Sequence, residues 1–173
     1  MTRRPERALA RPSTHALSQG ANEREPAPRQ WVVTAGEYLI FSLGGDPYAL
    51  PIVAIQEILK LLPITEVPRA PRGIAGIASV RGRLVTVLDL RRRFGLSELE
   101  RDRRTRILLV DGGEETLGLL VDEVRGVQRF ESTQIEPPHV LGGDPPPHVA
   151  GVGRNDEAWC MLLDLRPVLE DRS

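Results

Sequence analysis

The sequence predicts a mostly β protein made of two small antiparallel barrels that pack together. Short runs of residues alternate between apolar and polar side chains, and glycine- or proline-rich turns separate these runs. The tetrapeptide Leu-Asp-Leu-Arg occurs at 88–91 and again at 163–166, which indicates an internal repeat. The 173 residues are enough to bury a core without disulfide bonds.

Residues 1–35 are predicted to form a disordered N-terminal tail. The segment contains four prolines among Arg, Ala, Ser and Glu, and it has almost no periodic apolar positions. Such a composition does not offset the conformational entropy that ordering would cost. The folded domain is therefore expected to span 36–172, with a first repeat at about 36–96 and a second at about 105–170.

The first repeat is predicted to open with two strands and a short helix. Residues 39–43 and 48–52 read as strands, and the glycine- and proline-containing segment 44–47 joins them. Apolar residues then recur every three or four positions until Pro63, which cannot continue a helix. The pattern predicts a short amphipathic helix over 52–62.

A β-hairpin follows in the stretch 73–93. Apolar residues lead to Val80, the tight corner Arg81-Gly82-Arg83 turns the chain, and residues 84–90 leave it as a mostly apolar, β-branched run. This pattern is typical of a hairpin. The highly charged segment 97–104 is interpreted as a solvated connector.

A second round of the same pattern begins at Arg106. An offset of 69 residues places 118–121 on 49–52. After a Gly/Pro-rich insertion at 139–147 the offset becomes 75, and it then aligns the two Leu-Asp-Leu-Arg segments. Two copies of one β unit explain both offsets.

The chain lacks the residue patterns that would indicate catalysis. No phosphate-binding glycine loop, zinc-protease, C-x-x-C or serine-hydrolase motif occurs. The three histidines lie in the predicted tail and insertion, and the single Cys160 lies in an apolar run, where it is expected to be a small buried hydrophobe. Asp89 and Asp164 recur by repetition at apolar strand ends and are interpreted as turn-capping residues. We expect no enzymatic activity, no cofactor and no bound metal.

The overall charge and hydropathy also restrict the class of partner. The formal net charge of −1 provides no argument for binding to nucleic acid or to an anionic membrane. No apolar run is long enough for a secretory signal or a membrane-spanning helix. The sequence predicts a soluble cytoplasmic protein whose partners are proteins.

Five segments together carry a specific resemblance. They read EYLIFSLGGDPYAL at 37–50, VAIQEI at 53–58, VPRAPRGIAGIASVRG at 67–82, VLDLRRRFG at 87–95 and LGLLVDEV at 117–124. In this combination the sequence resembles the CheW family of chemotaxis coupling proteins over about 36–170. It departs from the family at Ser79-Val80, where Asn-Leu is common, and at Ala75, where a basic residue is frequent.

The resemblance implies two SH3-like, five-stranded barrels and the role of a non-catalytic adaptor. Such an adaptor links the cytoplasmic tips of chemoreceptors, the methyl-accepting chemotaxis proteins, to the regulatory domain of the histidine kinase CheA in membrane-associated arrays. By this resemblance, receptor contact is expected at Ile52, Ile55, Glu57, Gly76 and Arg81. Kinase contact is expected in the second half, with Leu119, Val121 and Val152 as candidates.

A second hypothesis is a sensory or small-molecule-binding β-barrel, in which the groove between the two halves would hold the ligand. Convergent polar groups in that groove would favour this alternative. An apolar strip with a polar rim would favour a protein helix.

Overall fold

The computed structural model describes residues 33–156 and 158–170. The tail predicted over 1–35 lies outside the described residues up to position 32. Two of its last three residues contact the folded part, because Val33 packs against a buried cluster and the Thr34 carbonyl accepts a hydrogen bond from the Tyr38 hydroxyl at 2.7 Å. Among the described residues, no helix has the length and apolar character needed to cross a membrane.

The described residues form twelve strands, two short α-helices and three short 3-10 turns. The strands are β1 Gly36–Leu43, β2 Asp46–Pro51, β3 Ile55–Lys60, β4 Ile64–Thr65, β5 Ile74–Val80, β6 Arg83–Asp89, β7 Arg106–Asp111, β8 Thr116–Val121, β9 Glu123–Phe130, β10 Ile135–Glu136, β11 Val149–Arg154 and β12 Trp159–Leu163. The helices are α1 Leu90–Arg93 and α2 Leu165–Glu170, and the 3-10 turns are Ile52–Ala54, Ser132–Gln134 and Pro138–Leu141.

The internal repeat is confirmed by the order of these elements. β1 to β6 and α1 recur as β7 to β12 and α2. Each copy has six strands, one more than the expected five, because the two-residue strands β4 and β10 also pair with their neighbours. The two aspartates cap as predicted: Asp89 accepts hydrogen bonds from the backbone N–H groups of Arg91 and Arg92 in α1, and Asp164 accepts one from that of Arg166 in α2.

The twelve strands are shared between two six-stranded sheets. The first sheet has the order β10-β11-β12-β2-β1-β9, and the second has the equivalent order β4-β5-β6-β8-β7-β3. Each sheet therefore joins the first two strands of one copy to the last four strands of the other. The two sheets therefore do not coincide with the two sequence repeats, 36–96 and 105–170.

Two parallel strand pairs make this exchange between the copies. β12 pairs with β2, with Met161 opposite Tyr48, and β6 pairs with β8, with Leu88 opposite Leu119. The 3-10 turn Ile52–Ala54 carries the chain from the first sheet to the second. Neither copy can complete a sheet without the other, so the two copies must fold together.

The prediction of a helix over 52–62 is wrong. The chain makes one 3-10 turn and then the strand β3, which pairs antiparallel with the buried strand β7. Ile55 and Leu59 are four residues apart, a spacing that places two side chains on one face of a helix and also on one face of a strand. The pattern could not distinguish the two structures, and pairing with β7 decided for the strand. A bulge between Ile55 and Glu57 puts these two residues on opposite faces of β3, because Ile55 lies opposite Val110 and Glu57 lies opposite Leu109.

Three buried clusters form the core. One lies between the sheets and contains Leu39 and Phe41 from the first sheet with Leu108 and Leu119 from the second. The other two clusters lie within the individual sheets, one around Val87 and Ile107 and one around Tyr38 and Phe130. Fully burying a leucine or phenylalanine contributes about 1.5–3 kcal/mol, so the cluster between the sheets is a large part of what holds the two sheets together. Each sheet with its own cluster is called a unit below.

A largely buried ionic cluster adds a specific contact between the units. The Nε–H of Arg91 donates a bifurcated hydrogen bond to both carboxylate oxygens of Asp122, each at 2.9 Å, and the backbone N–H of Gly44 donates to Asp122 at 2.8 Å. The Arg91 guanidinium also donates to the carbonyl of Ser97. The cluster thus ties the β1–β2 turn to α1 and to the start of the 97–104 segment.

The 97–104 segment is more than the predicted solvated connector. Glu98 lies 3.3 Å from the guanidinium of Arg92, and the guanidinium of Arg101 lies 3.8 Å from Asp89. These ion pairs hold the segment against the end of the second sheet. It therefore belongs to the wall of the cleft between the two units.

We expect Asp122→Ala to lower the free energy of unfolding by about 3 kcal/mol, because the buried Arg91 guanidinium would lose its carboxylate. Asp102→Ala is the matched control, since the Asp102–Arg104 pair of 2.9 Å is exposed and exposed pairs add little. Urea unfolding followed by circular dichroism measures both. Equal midpoints for the two variants would show that the ionic cluster does not hold the units together.

Candidate partner-binding surface

The predicted hairpin ends in a two-residue turn. Val80 pairs with Arg83, and the intervening Arg81 and Gly82 have φ angles of 49° and 79°. Two consecutive positive φ angles define a type I′ turn, which favours Asn, Asp or Gly at its first central position. Arg81 therefore occupies a backbone conformation that an arginine adopts at a cost.

The Arg81 side chain contacts β3, which is an edge strand of the second sheet. Its Nη1 donates to Oε2 of Glu57 at 2.7 Å, and its Nη2 donates to Oε1. Glu57 belongs to β3 and Arg81 to the β5–β6 turn, and three strands, β7, β8 and β6, lie between β3 and β5 in the sheet order. The ion pair joins two elements that are distant in the sheet, so it shows that the sheet curls until β3 approaches the β5–β6 turn.

The electrostatics of the pair follow from this geometry. The hydrogen bonds from Arg81 lower the pKa of Glu57 below its usual value, and the same bonds raise the pKa of Arg81. A carboxylate with a lowered pKa stays ionised at and above its usual pKa, and it becomes protonated only as the pH falls through the lowered pKa. The pair is therefore complete at neutral pH. Arg81 remains 70% exposed within it.

Exposed apolar side chains occur on the same elements. Leu84 directly follows the turn and is 77% exposed, Ile58 adjoins Glu57 and is 41% exposed, and Val53 in the 3-10 turn is 70% exposed. Sequence reasoning missed these three residues, because an apolar residue in a strand pattern is expected to face the core. Ile58 points to the opposite face of β3 from Glu57. We call the other two residues and the ion pair the hairpin surface: Val53, Glu57, Arg81 and Leu84.

The other predicted receptor residues lie behind this surface. Ile52 and Ile55 are half-buried and pack against the cluster between the sheets. Gly76 is buried, with a φ of 145°, and a Cβ at this position would lie 2.2 Å from the Thr65 carbonyl oxygen. Gly76 is thus needed for the close approach of β4 to β5, and direct contact with a partner is not the reason for a glycine there.

The three predicted kinase residues are core positions. Leu119, Val121 and Val152 are each no more than 1% exposed. Leu119 and Val121 pack in the cluster between the sheets. These side chains are not presented on the surface, and the regular apolar alternation that singled them out is also the pattern of the core face.

The cleft between the two units does not resemble a small-molecule site. It has a volume of about 810 Å³, and charged residues dominate its lining. Many of these charges are already paired with one another, as in Arg91–Asp122, Arg92–Glu98 and Arg101–Asp89. In the described part of the chain, no three His, Cys, Asp or Glu side chains are grouped so that they could hold a metal ion.

The fold and the hairpin surface are those of a β scaffold protein: two sheets carry an exposed ion pair and exposed apolar side chains that a partner could contact. The CheW-like domain family matches residues 37–173. The chemotaxis protein CheW of Klebsiella aerogenes is 30% identical over 134 residues, which cover 77% of this chain and 81% of that protein. Protein PilI of Pseudomonas aeruginosa is 31% identical over 152 residues, covering 84% and 80% of the two chains.

A solved structure supports the same assignment. The crystal structure of the scaffolding protein TtCheW from Thermoanaerobacter tengcongensis matches with a TM-score of 0.68 and 30% identity, covering 75% of this chain and 89% of that one. The chain belongs to the CheW-like family, and its function is that of a chemotaxis coupling adaptor.

The steric role of Gly76 can be separated from the effect of its positive φ angle on stability. Gly126 has a similar φ of 138°, but no atom lies within 4 Å of a Cβ built there. We expect Gly126→Ala to cost about 1 kcal/mol of unfolding free energy and Gly76→Ala about 1–3 kcal/mol more, because the Thr65 carbonyl must move. Chemical denaturation of both variants measures this, and equal losses would contradict the steric role.

Cys160 provides a test of the buried cluster around Tyr38 and Phe130. Burial raises the pKa of its thiol to about 12, so the thiol stays protonated at neutral pH. We expect a disulfide reagent such as DTNB to leave the native chain unmodified at pH 8 and to react at once after denaturation in guanidinium. Complete reaction of the native chain within seconds would contradict the buried position.

Proposed function

We propose that this chain is a non-catalytic cytoplasmic adaptor that couples chemoreceptor tips to the regulatory domain of the kinase CheA, without a cofactor or metal. The observation that carries the proposal is the Glu57–Arg81 pair on the hairpin surface. The pair is exposed, and exposed ion pairs add little to stability. Arg81 also occupies a turn position that favours Asn or Gly. Stability alone does not account for this arginine, whereas contact with a partner does.

The hairpin surface has the chemistry of a helix-binding site. Val53 and Leu84 provide exposed apolar contacts, and the Glu57–Arg81 pair provides a fixed polar one. An amphipathic helix binds such a surface through its apolar face and gains specificity from the polar group. A chemoreceptor tip is the proposed occupant.

The kinase contact is proposed on a different surface. The three buried candidates cannot provide it, but the half of the chain from Arg106 onward also has exposed apolar residues, which are Val127, Val140, Leu141 and Trp159. Exposed aromatic and aliphatic side chains are common in the centres of protein interfaces. By resemblance the kinase's regulatory domain has the same fold, so a contact between similar β units is proposed.

The receptor contact is tested in a reconstituted complex of receptor, kinase and adaptor. We expect Glu57→Lys, Arg81→Ala and Arg81→Lys to fold and to impair receptor control of the kinase, the last because a lysine lacks the planar fork of the guanidinium. Arg81→Asn should raise the melting temperature, since Asn suits the turn, and should still impair control. Arg83→Ala, on the same hairpin, is the matched control.

The outcomes separate a structural role from a binding role. Impaired control in a variant with an unchanged or raised melting temperature supports contact with the partner. Normal receptor control of the kinase in Glu57→Lys and in both Arg81→Ala and Arg81→Lys would overturn the proposed surface. Impairment by Arg83→Ala of the same size would show that the effect is not specific to the pair.

A further inference from the structure

Two arginines have an unusual backbone conformation. Arg69 and Arg81 are the only residues other than glycine with a positive φ in the described part of the chain, with values of 61° and 49°. This region is uncommon for residues other than Gly, Asn and Asp, and a residue held there costs on the order of 1 kcal/mol or more. Such outliers point to a function when nothing else accounts for them.

Arg69 lies in the turn between β4 and β5. The backbone N–H of Ala70 donates to the Val67 carbonyl at 3.2 Å, and Pro68 and Arg69 are the two central residues. Proline first and a positive φ second are features of a type II turn, which favours Gly or Asn at the second position. The next turn obeys that preference, because Gly73, with a φ of 99°, precedes Ile74, whose N–H donates to the Pro71 carbonyl.

Arg69 differs from Arg81 in its surroundings. Its side chain makes no hydrogen bond or ion pair with any described residue, and it is exposed. The same holds for the side chain of Arg72 in the following turn. Arginine is abundant in this sequence, so exposure alone would mean little. The unfavourable conformation of Arg69 and the missing internal partners together require an explanation.

We infer that the turn segment 67–73 binds a carboxylate-bearing segment of a partner protein through Arg69 and Arg72. The segment borders an open cleft of about 470 Å³, and Val67 at its edge is 40% exposed. A guanidinium binds a carboxylate with two parallel hydrogen bonds. The same cleft contains two carboxylates of this chain: Glu98, which is paired with Arg92, and Glu66.

The site is separate from the hairpin surface. The turn segment adjoins the start of β5 and Arg81 follows its end, so seven residues of extended strand, about 20 Å, lie between them. The inference therefore goes beyond the proposed receptor contact and does not depend on it.

A protein segment fits this site better than a free anion does. Anion sites in loops are commonly built from backbone N–H groups, but the N–H groups of Ala70 and Ile74 are used in the two turns. The exposed Val67 beside the two arginines adds an apolar contact that a protein segment can use and inorganic phosphate cannot.

The conformational cost of Arg69 is tested by stability. We expect Arg69→Gly to raise the melting temperature by about 2–4 °C, because glycine adopts this φ freely. Arg72→Gln and the control Arg103→Gln, at another exposed arginine without a described side-chain partner, should leave it unchanged. A lowered melting temperature for Arg69→Gly would show that the arginine stabilises the fold, and this would overturn the inference.

Binding is tested with a synthetic twelve-residue peptide of alternating Glu and Ala, titrated into the full chain and followed by NMR of the backbone amides. We expect the shifts to be largest at 66–73 and the affinity to fall at least roughly 10-fold in the double variant Arg69→Gly/Arg72→Gln. Arg103→Gln should bind as the original chain does. No binding, shifts centred elsewhere, or equal shifts with inorganic phosphate would overturn the inference.

Discussion

The parallel pairing of β2 with β12 and of β6 with β8 is the constraint on which the rest of the structure depends. Each pair joins strands from different copies of the repeat, so a sheet is complete only when both copies are present. The core between the sheets and the Arg91–Asp122 cluster then lie at the junction that this exchange creates. The small size of each copy explains the advantage, because a domain of roughly 60 residues buries a smaller fraction of its surface than a larger domain does and is only marginally stable alone.

The two copies have the same topology and different surfaces. With the offsets of the repeat, the position of Glu57 corresponds to Gly126, and that of Arg81 corresponds to Asp156. The second copy therefore lacks the ion pair that closes the hairpin surface in the first. A repeated backbone thus provides two similar platforms, and substitutions at a few exposed positions make them suitable for different partners.

The contrast between buried and exposed residues separates the fold from the function. Leu119, Val121 and Val152 support the sheets from inside, and Gly76 allows two strands to approach closely. Substitution of these residues would impair any activity through folding. Arg81 instead has an exposed side chain and a conformation that local preference disfavours. Residues of this second kind carry information about partners, because selection for stability would not retain them.

The sequence by itself determined the β class, the repeat, the hairpin at Arg81-Gly82 and the capping by Asp89 and Asp164. Each of these depends on local chemistry: alternation of polarity, turn residues and a side chain that bonds to a nearby backbone N–H. Only the tertiary structure decided that residues 55–60 form a strand, that the copies exchange strands, and that Glu57 meets Arg81. A local pattern shows which face of a segment is apolar, but it does not show which segment will cover that face. Two similar copies offer nearly equivalent partners, and the total packing of the folded chain chooses between them.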